Sequence, residues 1–393
     1  MNSNDYLRNA RNLYDQKFYT DAIRECSKAI ELDPNNAEAF ELKGISYYNI
    51  EDTEKAIDNL NKAIQLNPMS SRAYCYRGIC YSSQMTATST EPIAFNKPSS
   101  FSLKGYKLDG NIKEVFSKAL NDENQSISID SSNIVPYEAR GEIYFWVEDY
   151  ERALVDLNKV IKEYPNDCQS AYETRAKIYF IFQNYDSAIE DCKKAIKLNS
   201  NSDVGFDVRG RSYYMKKDYD RAIVDFTMAL NLNPSNDMAY YYRGCCYYFK
   251  DDNTKAIADF DKCIKYNSVN YSAYDYRGRC YWFMKDFAQT IQDEGMSISL
   301  NPDNGNAFDF RGRAYYFLKN YQSAIIDESK AIELGVNNFS VFDCRGRSYF
   351  YLKQYENAIN DFKQALQIQP KNQELYEFLK KVYAEMHAEG LVN

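Results

Sequence analysis

The chain predicts an all-α solenoid of ten helix pairs, and three observations lead there. One small residue returns at a near-constant interval: Ala22, Ala56, Ala119, Ala153, Ala188, Ala222, Ala256, Thr290, Ala324 and Ala358 lie 34 or 35 residues apart, with a single gap of 63. Within an interval, apolar residues recur at the three-and-four spacing of two helical faces, separated by a polar break. A fixed period of this length marks a repeat array, in which no unit can bury its apolar face alone and neighbours must stack. Residues 308–334 show the unit most plainly. Phe308, Arg311, Gly312 and Tyr315 fall on one helix, Ala324, Ala331 and Leu334 on the next, and Lys319 and Asn320 interrupt them. Asn320 is placed to cap the second helix.

In chain order, repeats one (3–36) and two (37–70) are irregular, with Leu42 and Ile45 where later repeats are polar. Repeat three starts at Ser71. Its first helix is expected to end near Tyr81 and its second to resume near Asn111, leaving an inserted loop over about 82–110. That loop holds two prolines and many Ser and Thr, and reads as a flexible excursion at the turn or as a docking or phosphorylated segment. Repeats one to three thus occupy 3–133, repeats four to ten 134–372, and residues 373–388 follow as a capping helix. In the last, Leu375, Leu379, Val382 and Met386 form an apolar stripe opposite Glu374, Glu377, Lys380 and Lys381.

Glycine inside a helix costs about 1 kcal/mol relative to alanine. Its return at Gly44, Gly78, Gly141, Gly210, Gly244, Gly278, Gly312 and Gly346 therefore predicts a close approach of the partner helix there. Aromatics four residues earlier, such as Tyr240, Tyr274 and Phe308, are expected to fill the space between successive units.

Composition excludes several classes of function. A net charge of −8 and a pI near 5.1 oppose sequence-independent binding to nucleic acid or anionic membrane. No run approaches a membrane span, and residues 1–16 carry charges where a signal peptide needs an apolar core. Ten scattered cysteines without a C-x-x-C pair, and one histidine, His387, predict buried reduced thiols, no disulfide framework and no metal site. The cytoplasm is the expected location. No phosphate-cradling glycine loop or nucleophile-and-histidine set occurs, so neither catalytic residues nor a cofactor are expected.

One correlation inside the repeats is sharper than the rest. Arg140, Arg175, Arg209, Arg243, Arg277, Arg311 and Arg345 are each followed sixteen residues later by Asp156, Asp191, Asp225, Asp259, Asp293, Asp327 and Asp361. Where the arginine is replaced, at Asn9 and Lys43, the later residue is Glu25 or Asn59. A structural bridge between helices is expected, since a partly buried guanidinium needs a bidentate acceptor; the other reading is a charged binding ladder. Glu123, Glu294 and Glu328, each directly after an aspartate, are read as second acceptors for these arginines.

The succession of aromatic, Gly, Tyr, Ala and a further small residue, as in Tyr240, Gly244, Tyr247, Ala256, Phe260 and Cys263, resembles the tetratricopeptide repeat over about residues 3–372. The resemblance implies a right-handed superhelix whose first helices line a concave groove. On those helices Asp207, Arg211 and Tyr214, Asp275, Arg279 and Trp282, Asp309, Arg313 and Tyr316, and Asp343, Arg347 and Phe350 share a face at offsets of four and seven. They are the candidate peptide-binding groove, Arg and aromatics being common hot-spot residues. Alternatively each Asp and Arg pair with each other on a wet helix face.

The implied function is a non-enzymatic scaffold or adaptor that grips a protein or peptide partner. A co-chaperone-type adaptor for heat-shock chaperones is the alternative, although Leu7, Arg11, Leu42, Arg72 and Tyr76 stand where that type has its carboxylate-gripping set. A purely structural subunit of a larger complex is a further reading, and self-association through the solenoid ends stays open.

Overall fold

The computed structural model describes residues 1–88 and 110–389. Among them helices follow one another in pairs, and no strand occurs. The first pairs are α1 (Ser3–Asp15) with α2 (Tyr19–Leu32), α3 (Ala37–Asn49) with α4 (Thr53–Leu66), and α5 (Ser71–Thr88) with α6 (Gly110–Ile129). Then come α7 (Val135–Trp146) with α8 (Tyr150–Glu163), α9 (Gln169–Ile181) with α10 (Tyr185–Leu198), and α11 (Asp203–Met215) with α12 (Tyr219–Leu232). The remainder are α13 (Asp237–Phe249) with α14 (Asn253–Tyr266), α15 (Tyr271–Phe283) with α16 (Phe287–Leu300), α17 (Gly305–Phe317) with α18 (Tyr321–Glu333), α19 (Phe339–Tyr351) with α20 (Tyr355–Ile368), and the unpaired α21 (Gln373–Ala388). The chain divides into two compact units, 1–212 and 213–393, with the division inside α11.

Two boundaries differ from expectation. The first helix of repeat three does not stop near Tyr81 but continues to Thr88, and α6 begins at Gly110. The core of the expected 82–110 insertion, residues 89–109, lies outside the described residues.

Local chemistry explains the pairs. Asn320 accepts a hydrogen bond from the Ser323 N–H, as expected, and Asp52, Asp149, Asn184, Asp218, Asp252 and Asp286 cap the second helices before it in the same way. The preceding residue turns the chain. Lys319 has φ 62°, and Lys17, Glu51, Glu148, Gln183, Lys217, Asp251, Lys285 and Lys353 stand likewise in the left-handed region at the corresponding turns. There the Lys319 and Asn320 N–H groups close the end of α17 on the Tyr316 and Tyr315 carbonyls, both at 2.9 Å.

The glycine positions are close approaches. A Cβ at Gly346 would lie 2.7 Å from the Phe362 ring, and one at Gly244 2.8 Å from Phe260. The ring of the second helix thus packs directly on the backbone of the first, and Phe226, Phe260 and Phe362 are fully buried. Burying such a ring is worth roughly 1.5–3 kcal/mol. Within unit 213–393, α13 packs on α15, α15 on α17 and α17 on α19, so these first helices share a surface. Helix α21 buries Leu375, Val382 and Met386 in the cluster that holds Phe342 and Phe362.

All ten cysteines are buried, and none is in a disulfide. Burial holds the thiols of Cys26, Cys80, Cys246 and Cys280 up at about 12, where they behave as small apolar side chains.

Candidate functional site

On α11, α15, α17 and α19 arginine stands at two registers, directly before the repeat glycine and directly after it; α5, α7, α9 and α13 carry only the earlier one. The earlier one is structural. Arg140, Arg175, Arg243, Arg277, Arg311 and Arg345 each donate from Nε and Nη2 to both carboxylate oxygens of the aspartate sixteen residues on, at 2.6–2.8 Å. Nη1 often reaches back to the preceding repeat, as from Arg140 to Asn124 at 2.7 Å and from Arg277 to Asp261 at 2.5 Å. One guanidinium therefore ties three helices. Its face rests on the aromatic three residues earlier, with Arg277 5.5 Å from the Tyr274 ring centre. Burial raises the pKa of Asp191, Asp259, Asp293 and Asp361 despite the opposing guanidinium.

Arg77 and Asp122 form the same bidentate bond at 2.7 Å. The interval of 45 residues hid this pair from the sixteen-residue rule.

The three glutamates are not acceptors for these arginines. Glu123, Glu294 and Glu328 are fully buried, and none of their carboxyl oxygens has a hydrogen-bond partner among the described residues. They stand where other repeats place Leu60, Leu157, Phe226, Phe260 and Phe362, against the repeat glycine: a Cβ at Gly312 would lie 3.0 Å from the Glu328 carboxyl. Burial first, and then the neighbouring aspartates, push the carboxyls of Glu294 and Glu328 far above the ordinary range. Such groups are held as neutral acids.

The later register carries the candidate groove. Arg211 bonds Asp207 at 2.8 Å, Arg279 bonds Asp275 at 3.0 and 2.6 Å, and Arg347 bonds Asp343 at 2.8 and 2.9 Å, so three of the four pairs close on themselves. A wet helix face does not describe them. Asp207 and Arg211 are only 5% and 2% exposed, and Asp275 and Asp309 are buried as well. For Asp275 and Asp309 the burial follows from α13, α15, α17 and α19 packing side by side. Asp207 and Arg211 belong to unit 1–212 and Tyr214 to unit 213–393.

The aromatic of each trio serves other residues than its own arginine. Trp282 lies under Arg313 of the next repeat, whose guanidinium is 4.0 Å from the ring centre, and Tyr214 packs edge-on against Tyr242 at 5.2 Å. Phe350 packs edge-on against Phe378 of α21 at 5.1 Å, with Lys381 5.2 Å from its ring centre. Tyr316 sits 6.3 Å from Tyr351, and burial pushes its hydroxyl up to about 12.

Beside Asp275 and Arg279 opens a cleft of about 550 Å³, formed by the start of α15 and the loops before α17 and α19. Its walls include Tyr271, Asn301, Asn306 and Asn337. Sequence reasoning missed this cleft because loop residues carry no helical period. It also missed Phe310, which lies 5.0 Å from both Arg279 and Arg313 and joins the cleft to the Trp282 stack. Among the described residues no cluster of His, Cys, Asp and Glu fits a metal ion, and no helix is long and apolar enough to cross a membrane.

Models of the tetratricopeptide repeat match residues 25–58, 139–167, 169–202, 239–270 and 344–372. The chain belongs to the tetratricopeptide repeat family. Repeats of this family are in general non-catalytic scaffolds for protein interaction, and the helix pairs described above are such repeats. Among solved structures the chain is similar to YrrB, a TPR protein with an unusual peptide-binding site, at 21% identity and a TM-score of 0.45, over 49% of this chain and 99% of that one. It is also similar to the APC/C hetero-tetramer Cut9–Hcn1, at 15% identity and a TM-score of 0.48, over 97% and 90%. Yeast Tom70 aligns at 15% identity and a TM-score of 0.39, over 98% and 96%. No curated protein matches the chain at a significant level.

The positions that would correspond to a co-chaperone carboxylate grip are otherwise engaged. Leu7 and Leu42 lie in the core of the first repeats, Arg11 pairs with Glu38, and Arg72 rests 5.8 Å from both Tyr14 and Tyr76.

Proposed function

We propose that this tetratricopeptide protein is a non-enzymatic adaptor that holds a partner peptide on the first helices α15, α17 and α19. The observation that carries this reading is the cleft of about 550 Å³ next to Arg279, walled in part by Asn306 and Asn337, whose side chains each carry both an amide donor and a carbonyl acceptor. Such groups match the alternating N–H and C=O of an extended peptide main chain. The arginines and aromatics of the later register, Arg279, Trp282, Arg313, Tyr316, Arg347 and Phe350, extend that surface with side chains typical of binding hot spots. Asp275 and Asp343 position Arg279 and Arg347, while Trp282 and Phe310 hold Arg313.

The test is an extract pull-down with mass spectrometry, comparing the wild-type chain with Asn306→Trp, a substitution of an exposed residue that fills the cleft. Loss of the captured proteins, with an unchanged melt, supports the reading. Retention moves the binding surface elsewhere on the chain.

A further inference from the structure

Arg313 differs from its counterparts. Arg211, Arg279 and Arg347 each hold the aspartate four residues back, whereas among the described residues no carboxylate lies within ion-pair reach of Arg313. Its guanidinium occupies a corner between Trp282 and Phe310, at 4.0 and 5.0 Å from the ring centres, and those two rings meet edge to face at 5.8 Å. Asp309 is left to the Asn338 amide, which donates to Oδ2 at 3.3 Å, while Oδ1 is buried with no hydrogen-bond partner. The departure coincides with a change of ring. The repeats before and after place Tyr248 and Tyr316 where Trp282 stands, and an indole offers the broader π-face to a guanidinium.

Stacking uses the face of a guanidinium and leaves its in-plane N–H groups, up to five of them, to find acceptors at the edge. Arg313 is therefore a cation fixed in orientation by two rings and bonded to no carboxylate of its own helix, Asp309 acting on it only from beyond ion-pair distance. Phe310 joins it to Arg279, which lines the asparagine cleft.

We infer that Arg313 anchors the partner through a carboxylate, and that the partner is an extended peptide with an Asp or Glu side chain over α17. The carboxylate bonds the Arg313 edge bidentately, Trp282 and Phe310 hold the guanidinium plane, and the cleft beside Arg279 takes the neighbouring main chain. Charge complementarity argues for this occupant: Arg313 is the one arginine of the register in unit 213–393 that bonds no carboxylate among the described residues, Asp309 acting on it only from beyond ion-pair distance. The inference rests on the groove reading and specifies its partner.

The experiment selects phage-displayed random peptides on the wild-type chain and on Arg313→Gln, then measures the winners in solution with free and amidated C-termini. The expected result is an acidic residue at one register in the wild-type selection. Replacing it by its amide, or using Arg313→Gln, should each weaken binding roughly tenfold to a hundredfold. Selected peptides without an acidic preference, or bound equally by Arg313→Gln, overturn the inference; if Asn306→Trp still abolishes their binding, the groove reading survives. Loss on amidation of the C-terminus alone transfers the carboxylate from side chain to chain end and overturns the side-chain assignment. Binding indifferent to Asn306→Trp, or no enriched peptide at all, overturns the groove reading itself. A second readout needs no change at Arg313. Trp146 and Trp282 are the two tryptophans, so in Trp146→Phe the emission should shift with the acidic peptide and not with its amide counterpart, and an unmoved emission with both contradicts contact at Trp282.

Discussion

Two arginines that stand two residues apart on one helix, Arg311 and Arg313, have opposite environments. Arg311 gives both ends of its fork to Asp327 at 2.7 and 2.8 Å, while Arg313 lies on two rings with no carboxylate at ion-pair distance among the described residues. On a helix, residues two apart point about 200° from each other, so one arginine faces the second helix of its pair and the other faces the neighbouring first helices. Residue type alone does not separate scaffold from surface here. The register relative to the repeat glycine does.

The sharpest way to break the comparison is to remove an arginine of the earlier register. Arg277→Met leaves Asp293 buried with no cation, and breaking a buried pair from one side costs about 3–5 kcal/mol. The thermal or denaturant midpoint should fall accordingly. An unchanged midpoint would remove the structural role.

Next in size are the buried acids beneath the later register. A Leu or Phe fills the position of Glu328 in other repeats, so Glu328→Leu should stabilise the chain at neutral pH by about 1–3 kcal/mol. The pH dependence has a definite sign. The folded pKa of Glu328 lies above the ordinary glutamate value of 4.5, so its contribution is fully present below that value and is lost as pH rises toward the folded pKa. The wild-type unfolding free energy should decline over that window with a slope of up to about 1.4 kcal/mol per pH unit for each such acid, and the melting temperature with it. Glu294→Leu combined with Glu328→Leu should flatten the profile, and a profile of the same slope in the variant would contradict the assignment.

Much of the fold was legible because repetition multiplies a weak signal. The Ala anchors and the helix-interior glycines identified the helix pairs, and the sixteen-residue interval identified the bridges. Legibility failed where the repetition was interrupted. Arg77 and Asp122 were hidden by the insertion, and Glu294 and Glu328 were misassigned because a carboxyl after an aspartate suggests ion pairing until its position against the glycine is known. At the candidate site, spacing found the Asp and Arg pairs but not that Arg313 leaves its aspartate. That depends on Trp282 and Phe310, which reach it from two different helices. The left-handed turn residue was also invisible, since lysine, an acid or glutamine stands where glycine would have announced it.

That turn supplies the smallest effect. A side chain at positive φ costs about 1–2 kcal/mol, and glycine relieves part of it against its greater freedom in the unfolded chain. Lys319→Gly should raise stability by about 0.5 kcal/mol, read from the denaturant midpoint, and a fall would show that the lysine side chain contributes contacts of its own.

The most direct test of the two-register account is a paired measurement on α17. Arg311→Met and Arg313→Gln are compared for melting temperature and for affinity toward one selected acidic peptide, the affinity being read well below either melt. The account predicts that Arg311→Met melts early yet binds as wild type, and that Arg313→Gln melts as wild type yet binds at least about tenfold more weakly. The reverse pattern, or a loss of both properties in both variants, would contradict it.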